Sequence, residues 1–135
     1  MFTIDHLGIA VKSLAAAKSF YRALGLEIQG EEVLVGEKVR VAMIPLGESR
    51  IELLEATEAD SPVGRFLAKR GEGLHHVALH VDNLPVTMER LKAAGTRFLS
   101  GDIKIGAGGH AYVFVHPASA GGVLLELCED EPKGV

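Results

Sequence analysis

His6-Leu-Gly-Ile-Ala-Val11 and His76-Val-Ala-Leu-His-Val81 are the two stretches on which the fold turns. Each is a short apolar run, rich in β-branched residues and opened by a histidine, and each reads as a strand. They lie 70 residues apart (76 − 6). The same offset carries Leu14 onto Leu84 and Gly25 onto Gly95. Further along, Ile51-Glu-Leu-Leu-Glu55 falls over Leu125-Glu-Leu-Cys-Glu129 at an offset of 74 (125 − 51), so the second half has four residues more, which fit a longer turn. Two blocks in the same order, with both helix-ending glycines in register, mark an internal repeat.

Outward from these blocks, the pattern of each half is βαβββ. Residues 3–11 read as a strand, and Ser13 as the N-cap of a helix. Leu14, Ala17, Phe20, Tyr21 and Leu24 recur at helical spacing, and Gly25 ends the helix. Strands follow at 26–35, 38–46 and 50–55, with turns at Gly36-Glu37 and Gly47-Glu48-Ser49. Ser61-Pro62 opens a linking helix that runs to Arg70, and Gly71 to Gly73 break the pattern. It then restarts: a strand at 74–81, a helix at 84–94 carrying Met88, Leu91 and Lys92 and ended by Gly95, and strands at 98–99, 111–116 and 122–129. The polar tail, 130–135, reads as frayed. The expected fold is α+β: one domain over residues 1–135, built from two βαβββ modules (about 1–56 and 73–130) joined by a helix.

The 135 residues suffice for one ordinary domain, and 47% hydrophobic with 24% charged residues suits a chain with a real core. A net charge of −4 gives no reason to expect nucleic acid or an anionic membrane as a partner. An anionic substrate must therefore be attracted by local features. Cys128 is the lone cysteine, which excludes an intrachain disulfide and fits the reducing cytoplasm. The N-terminus has no signal-peptide pattern, and no apolar stretch reaches the roughly 18 residues of a membrane span.

The repeat pairs four residues of metal-ligand type: His6 with His76, and Glu52 with Glu126. A lone histidine in a strand is ordinarily a hydrogen-bonded core residue, and a lone glutamate ordinarily faces solvent. Four at equivalent positions inside apolar strands reverse that balance, because polar groups facing a core are costly unless satisfied. Two imidazoles and two carboxylates around one divalent cation satisfy all four, and that mixed donor set suits Co, Ni, Mn, Fe or Zn. The remaining histidines are weaker candidates. His75 points to the face opposite His76. His80 shares the face of His76 but lies roughly 13 Å along a straight strand. His110 sits in a glycine-rich loop and His116 precedes Pro117, positions that suit turn or surface roles. Gly106-Ala-Gly-Gly109 is either a hairpin turn or a loop whose N–H groups receive an anion; it is not a Walker loop.

With these residues in hand, the chain resembles the glyoxalase, bleomycin-resistance and extradiol-dioxygenase (vicinal-oxygen-chelate) superfamily over nearly its whole length. The resemblance rests on Asp5 to Val11, on Phe20-Tyr21 with Leu24-Gly25-Leu26, and on the repeat. Within that group several segments resemble the methylmalonyl-CoA epimerase family: Ile51 to Glu55, Asp60 to Gly64 leading into Phe66 to Arg70, Gly71 to Val77, Ile105 to Gly109, His116-Pro117 and Gly122 to Leu127. The resemblance implies paired βαβββ modules forming a curled mixed sheet around a metal site, a divalent ion (cobalt first, with Mn, Ni, Zn or Fe as alternatives) and a homodimer. The ligand set it implies falls on His6, Glu52, His76 and Glu126. The implied reaction is epimerisation of (2R)- and (2S)-methylmalonyl-CoA by proton abstraction at C2 through a metal-stabilised enolate.

The chain departs from part of the family at Val41, which stands where some epimerases carry a glutamate proposed as an acid/base group. Glu126 then remains as the candidate base, and the opposite partner is open among Glu37, Glu48 and a metal-bound water. Three other functions share features of this sequence. A glyoxalase I-type lyase acting on a glutathione hemithioacetal uses a similar ligand set; a ring-cleaving dioxygenase leaves more metal positions open in a longer chain; and a metal-free small-molecule-binding protein of the same fold needs no ligand set.

Overall fold

Ser13, Ser61 and Asn83 start the three α-helices found among the described residues, all by the same device. Their side-chain oxygens accept the N–H groups of Ala16, Gly64 and Val86, satisfying donors that the first helical turn leaves without partners. The helices are α1 (Leu14–Leu24), α2 (Pro62–Arg70) and α3 (Leu84–Ala93). Gly25, at φ 104°, ends α1 in the left-handed conformation that glycine adopts without steric cost.

The structure is a computed structural model describing residues 2–129, so the tail read as frayed lies outside the described residues. Its strands are β1 (Thr3–Ala10), β2 (Gly30–Leu34), β3 (Val39–Leu46), β4 (Ser49–Ala56), β5 (Gly73–His80), β6 (Lys104–Ile105), β7 (Ala111–Val115) and β8 (Leu125–Glu129). The chain is α+β, with the order βαβββ, helix, βαβββ.

Two compact units are present, one of residues 6–75 and one of residues 2–5 with 76–129. In the first, the strands run β2-β3-β4-β1, with β1 and β4 parallel and the others antiparallel. Its core packs Val11, Leu14, Ala42, Ile44, Ile51 and Leu53 beneath α1. In the second, the order is β5-β8-β7-β6, again with one parallel pair, β5 and β8. Val81, Leu84, Met88, Val113, Val115 and Leu127 form the corresponding core beneath α3.

The repeat is kept to the level of single hydrogen bonds. Gly8 is the Cα partner of Glu52, and Ala78 is that of Glu126. Val11 N–H donates to the Leu54 carbonyl at 2.9 Å, and Val81 N–H to that of Cys128 at 2.8 Å. The carboxylate of Glu55 accepts the N–H of Leu14 at 2.7 Å, and that of Glu129 accepts the N–H of Leu84 at 2.9 Å. The last glutamate of each βαβββ module thus neutralises an orphan donor at the positive end of that module's helix.

Some elements differ from the sequence reading. The strand expected at 26–35 begins at Gly30, because Leu26 and Ile28 turn aside to pack on the core under α1. Phe98-Leu99 is not a strand: Phe98 makes a single bridge to Val115 and packs against the second core, and Lys104–Ile105 pairs with β7 instead. β8 begins at Leu125 rather than 122, since Gly121 and Gly122 adopt left-handed turns in the long β7–β8 connection. Phe20 and Leu24, although at helical spacing, lie on the exposed side of α1. Lys18 of α1 donates to Glu31 of β2 at 2.6 Å, and this hydrogen bond holds the Glu31 carboxyl below its ordinary range.

The paired glutamate caps carry a prediction. Glu55→Ala and Glu129→Ala should each lower the unfolding free energy by about 1–2 kcal/mol, as loss of a charge-assisted helix cap does. Urea denaturation measures this, with Glu58→Ala at a surface ion pair as the control expected to change little.

Candidate metal centre

Strand alternation decides where the ligand-type residues point. On β4, Ile51 and Leu53 are buried under α1, so Arg50, Glu52 and Leu54 turn to the other face. On β1, Ile9 and Val11 pack under α1, which turns His6 and Gly8 the same way. The parallel register sets Gly8 beside Glu52. His6 Nδ1 lies 3.4 Å from Glu52 Oε2. The second unit repeats the arrangement. Leu125 and Leu127 pack under α3, Glu126 turns away, and His76 Nε2 lies 3.2 Å from Glu126 Oε1. Phe114, the Cα partner of Glu126, sets its ring edge-on to His76 at 5.3 Å.

All four side chains are buried. Their spacing indicates what they fit. Charge-assisted hydrogen bonds are about 2.7–2.9 Å long. Two ligands held about 2.0–2.2 Å from one ion stand roughly 3.0–3.5 Å apart. Both imidazole–carboxylate contacts, at 3.4 and 3.2 Å, are short enough for a long hydrogen bond and equally for two ligands sharing one ion. The nitrogen and oxygen donors are those that Co, Mn, Ni, Zn and Fe accept. A further pair of contacts involves Arg50, whose Nη2 and Nε donate to Glu52 Oε2 at 2.7 and 2.9 Å.

The residues set aside in the sequence fall elsewhere. His75 packs edge-on against Phe66 of α2 at 5.0 Å, and the Arg70 guanidinium lies 5.8 Å from the same ring. His116 Nδ1 accepts the Ala118 N–H at 3.0 Å, a turn role. His80 is partly buried, and its Cα partner is Cys128. Gly106–Gly109 closes as a hairpin: Gly106 N–H donates to the His110 carbonyl and Gly109 N–H to that of Gly106, which consumes two of the donors an anion would need.

Val41 is buried on the Glu52 face of β3, opposite Leu54. Glu37 and Glu48 occupy turns near opposite ends of the β3–β4 hairpin, each at least three residues, or roughly 10 Å, from Glu52 along the strand direction. Sequence reasoning passes over two residues of these faces, Arg50 and Tyr112. A basic residue two positions before a glutamate on a strand is the signal that identifies Arg50. Tyr112 stands at the repeat position of Val41, since Val41 opposes Leu54 and Tyr112 opposes Cys128.

The chain is similar to characterised proteins along most of its length. Residues 5–114 match the Glyoxalase/Bleomycin resistance protein/Dioxygenase superfamily. The ethylmalonyl-CoA/methylmalonyl-CoA epimerase of Cereibacter sphaeroides is 39% identical over 127 residues, 92% of this chain and 95% of that protein. The mitochondrial methylmalonyl-CoA epimerase of Bos taurus is 42% identical over 127 residues, 92% of this chain and 72% of that protein. Among solved structures, a variant of Streptomyces coelicolor methylmalonyl-CoA epimerase in complex with 2-nitronate-propionyl-CoA superposes with a TM-score of 0.91 at 38% identity, covering 95% of this chain and 94% of that one.

Proposed function

The chain belongs to the Glyoxalase/Bleomycin resistance protein/Dioxygenase superfamily, and on that premise we propose that it is an enzyme interconverting the (2R) and (2S) forms of methylmalonyl-CoA. One observation carries the reading: a chain 39–42% identical to epimerases of that substrate buries an imidazole against a carboxylate at equivalent positions of both halves.

We further propose that His6, Glu52, His76 and Glu126 together hold one divalent ion, cobalt or one of Mn, Ni, Zn and Fe. Their repeat equivalence, their burial and their short spacing support this. The reacting proton sits on C2, between a thioester and a carboxylate, and its removal leaves negative charge on the flanking oxygens. When bound, the ion supplies Lewis-acid stabilisation of that charge.

The chain's own residues do the rest. Glu126 accepts the C2 proton; its buried carboxylate lies beside His76, and Phe114 fixes the imidazole edge. Return of a proton to the opposite face inverts C2. Val41 has no proton to give, and Glu37 and Glu48 stand in turns, so water is the proposed second donor. The enzyme is proposed to act in the cytoplasm as a homodimer. The lone cysteine supports the first, and the exposed apolar side chains of Phe2, Phe20 and Leu24 support the second. The donor set would also serve a glyoxalase I-type lyase, so the two substrates should be assayed side by side.

Two outcomes follow from this reading. His76→Ala should lose most bound cobalt while His75→Ala keeps it, measured as metal content after dialysis, and a chelator should lower the melting temperature of the wild-type protein. Equal cobalt in the two variants would show the ligand assignment to be wrong. For catalysis, Glu126→Gln should cut turnover at least ~10²-fold, the lower range for a lost general base. Wild-type turnover in deuterated water should place deuterium at C2, read by mass spectrometry. Normal turnover by a metal-loaded Glu126→Gln enzyme would remove Glu126 from the mechanism.

A further inference from the structure

The two halves agree at the ligand positions and differ beside them. Arg50 lies two residues before Glu52 on β4 and shares its face; at the repeat offset of 74, its counterpart two residues before Glu126 is Leu124. The guanidinium brings two donors onto one carboxylate oxygen, at 2.7 and 2.9 Å. The Glu52 side chain is 7% exposed and that of Arg50 19%, so the cation is fixed beside the ligand face while retaining an opening to solvent. Leu124 brings no charge to the corresponding place in the second half.

The charge balance gives this asymmetry a consequence. The carboxylates of Glu52 and Glu126 cancel a divalent ion, so the four ligands and their ion sum to zero. Asp5, buried and grouped with His6, is a further carboxyl near these residues, and Arg50 is a cation held directly against a ligand-type carboxylate. A carboxylate on the acyl group meets a more favourable field with that guanidinium in place than without it, and a substrate lacking the carboxylate gains nothing from it. The chain as a whole, at −4, offers an anion no general attraction. We infer that Arg50 is a specificity-determining residue: its fixed positive charge beside Glu52 selects acyl-CoA substrates bearing a free carboxylate on the acyl group. This rests on the metal-ligand and substrate reading above. Arg50 acts here through its charge rather than through contact with the reacting atoms.

The test compares two ligands that differ by that carboxylate, methylmalonyl-CoA and propionyl-CoA. Their dissociation constants are measured by calorimetry on the cobalt-loaded full chain. The wild type should prefer methylmalonyl-CoA. Arg50→Gln keeps a donor toward Glu52 but removes the charge, and should shrink the preference roughly tenfold or more, as expected for one charge near a partly buried site. Arg50→Leu, which copies the second half, should do the same. Arg50→Lys should restore most of the preference. A role confined to holding Glu52 in place would show instead as loss of bound cobalt and an equal loss of affinity for both ligands in Arg50→Gln, and would overturn the inference. So would an undiminished preference in Arg50→Gln. A wild-type protein that binds cobalt but shows no preference would instead overturn the proposed substrate, and this inference with it.

Discussion

Each half of the molecule depends on a parallel strand pair that sets a histidine and a glutamate on one buried face. A parallel register fixes which residues stand side by side, and here it sets a residue with little or no side chain, Gly8 or Ala78, opposite the glutamate. The histidine two residues earlier then meets the carboxylate. Shifting either strand by one residue would carry the pair into the apolar core beneath the helix, where neither charge nor imidazole has a partner. Core packing under α1 and α3 therefore enforces the geometry of the polar face as strictly as it enforces the fold.

The same frame secures the helices. Glu55 and Glu129 lie three residues beyond Glu52 and Glu126, on the opposite side of their strands, and reach the first N–H groups of α1 and α3. One strand segment, Glu-Leu-Leu-Glu in the first half and Glu-Leu-Cys-Glu in the second, carries a buried carboxylate beside a histidine on one face and a helix cap on the other. That double use explains why the segment repeats so closely while the surrounding strands diverge.

Two of the positions at which the halves differ lie on the faces that carry these glutamates. Arg50 stands against Leu124, and Val41 against Tyr112. The first contrast loads one carboxylate with a guanidinium and leaves an apolar neighbour near the other. The second removes any proton-bearing group from the β3 position and puts a phenol at the β7 one.

Much of this was legible in the chain itself. The paired blocks disclosed the βαβββ repeat and the four ligand-type residues, because strand parity and helix capping are local properties that neighbouring residues settle. Ser13, Ser61 and Gly25 act as their chemistry dictates wherever they occur. The sequence could not disclose that Leu26 and Ile28 leave the strand for the core, or that Phe98 gives up its strand to Lys104–Ile105, since competition for apolar surface among distant segments decided both. Nor could it fix the contact of Arg50 with Glu52, although the spacing marks the residue. An arginine on a strand has many rotamers of similar energy, and only the tertiary packing that buried Glu52 within its reach selected one.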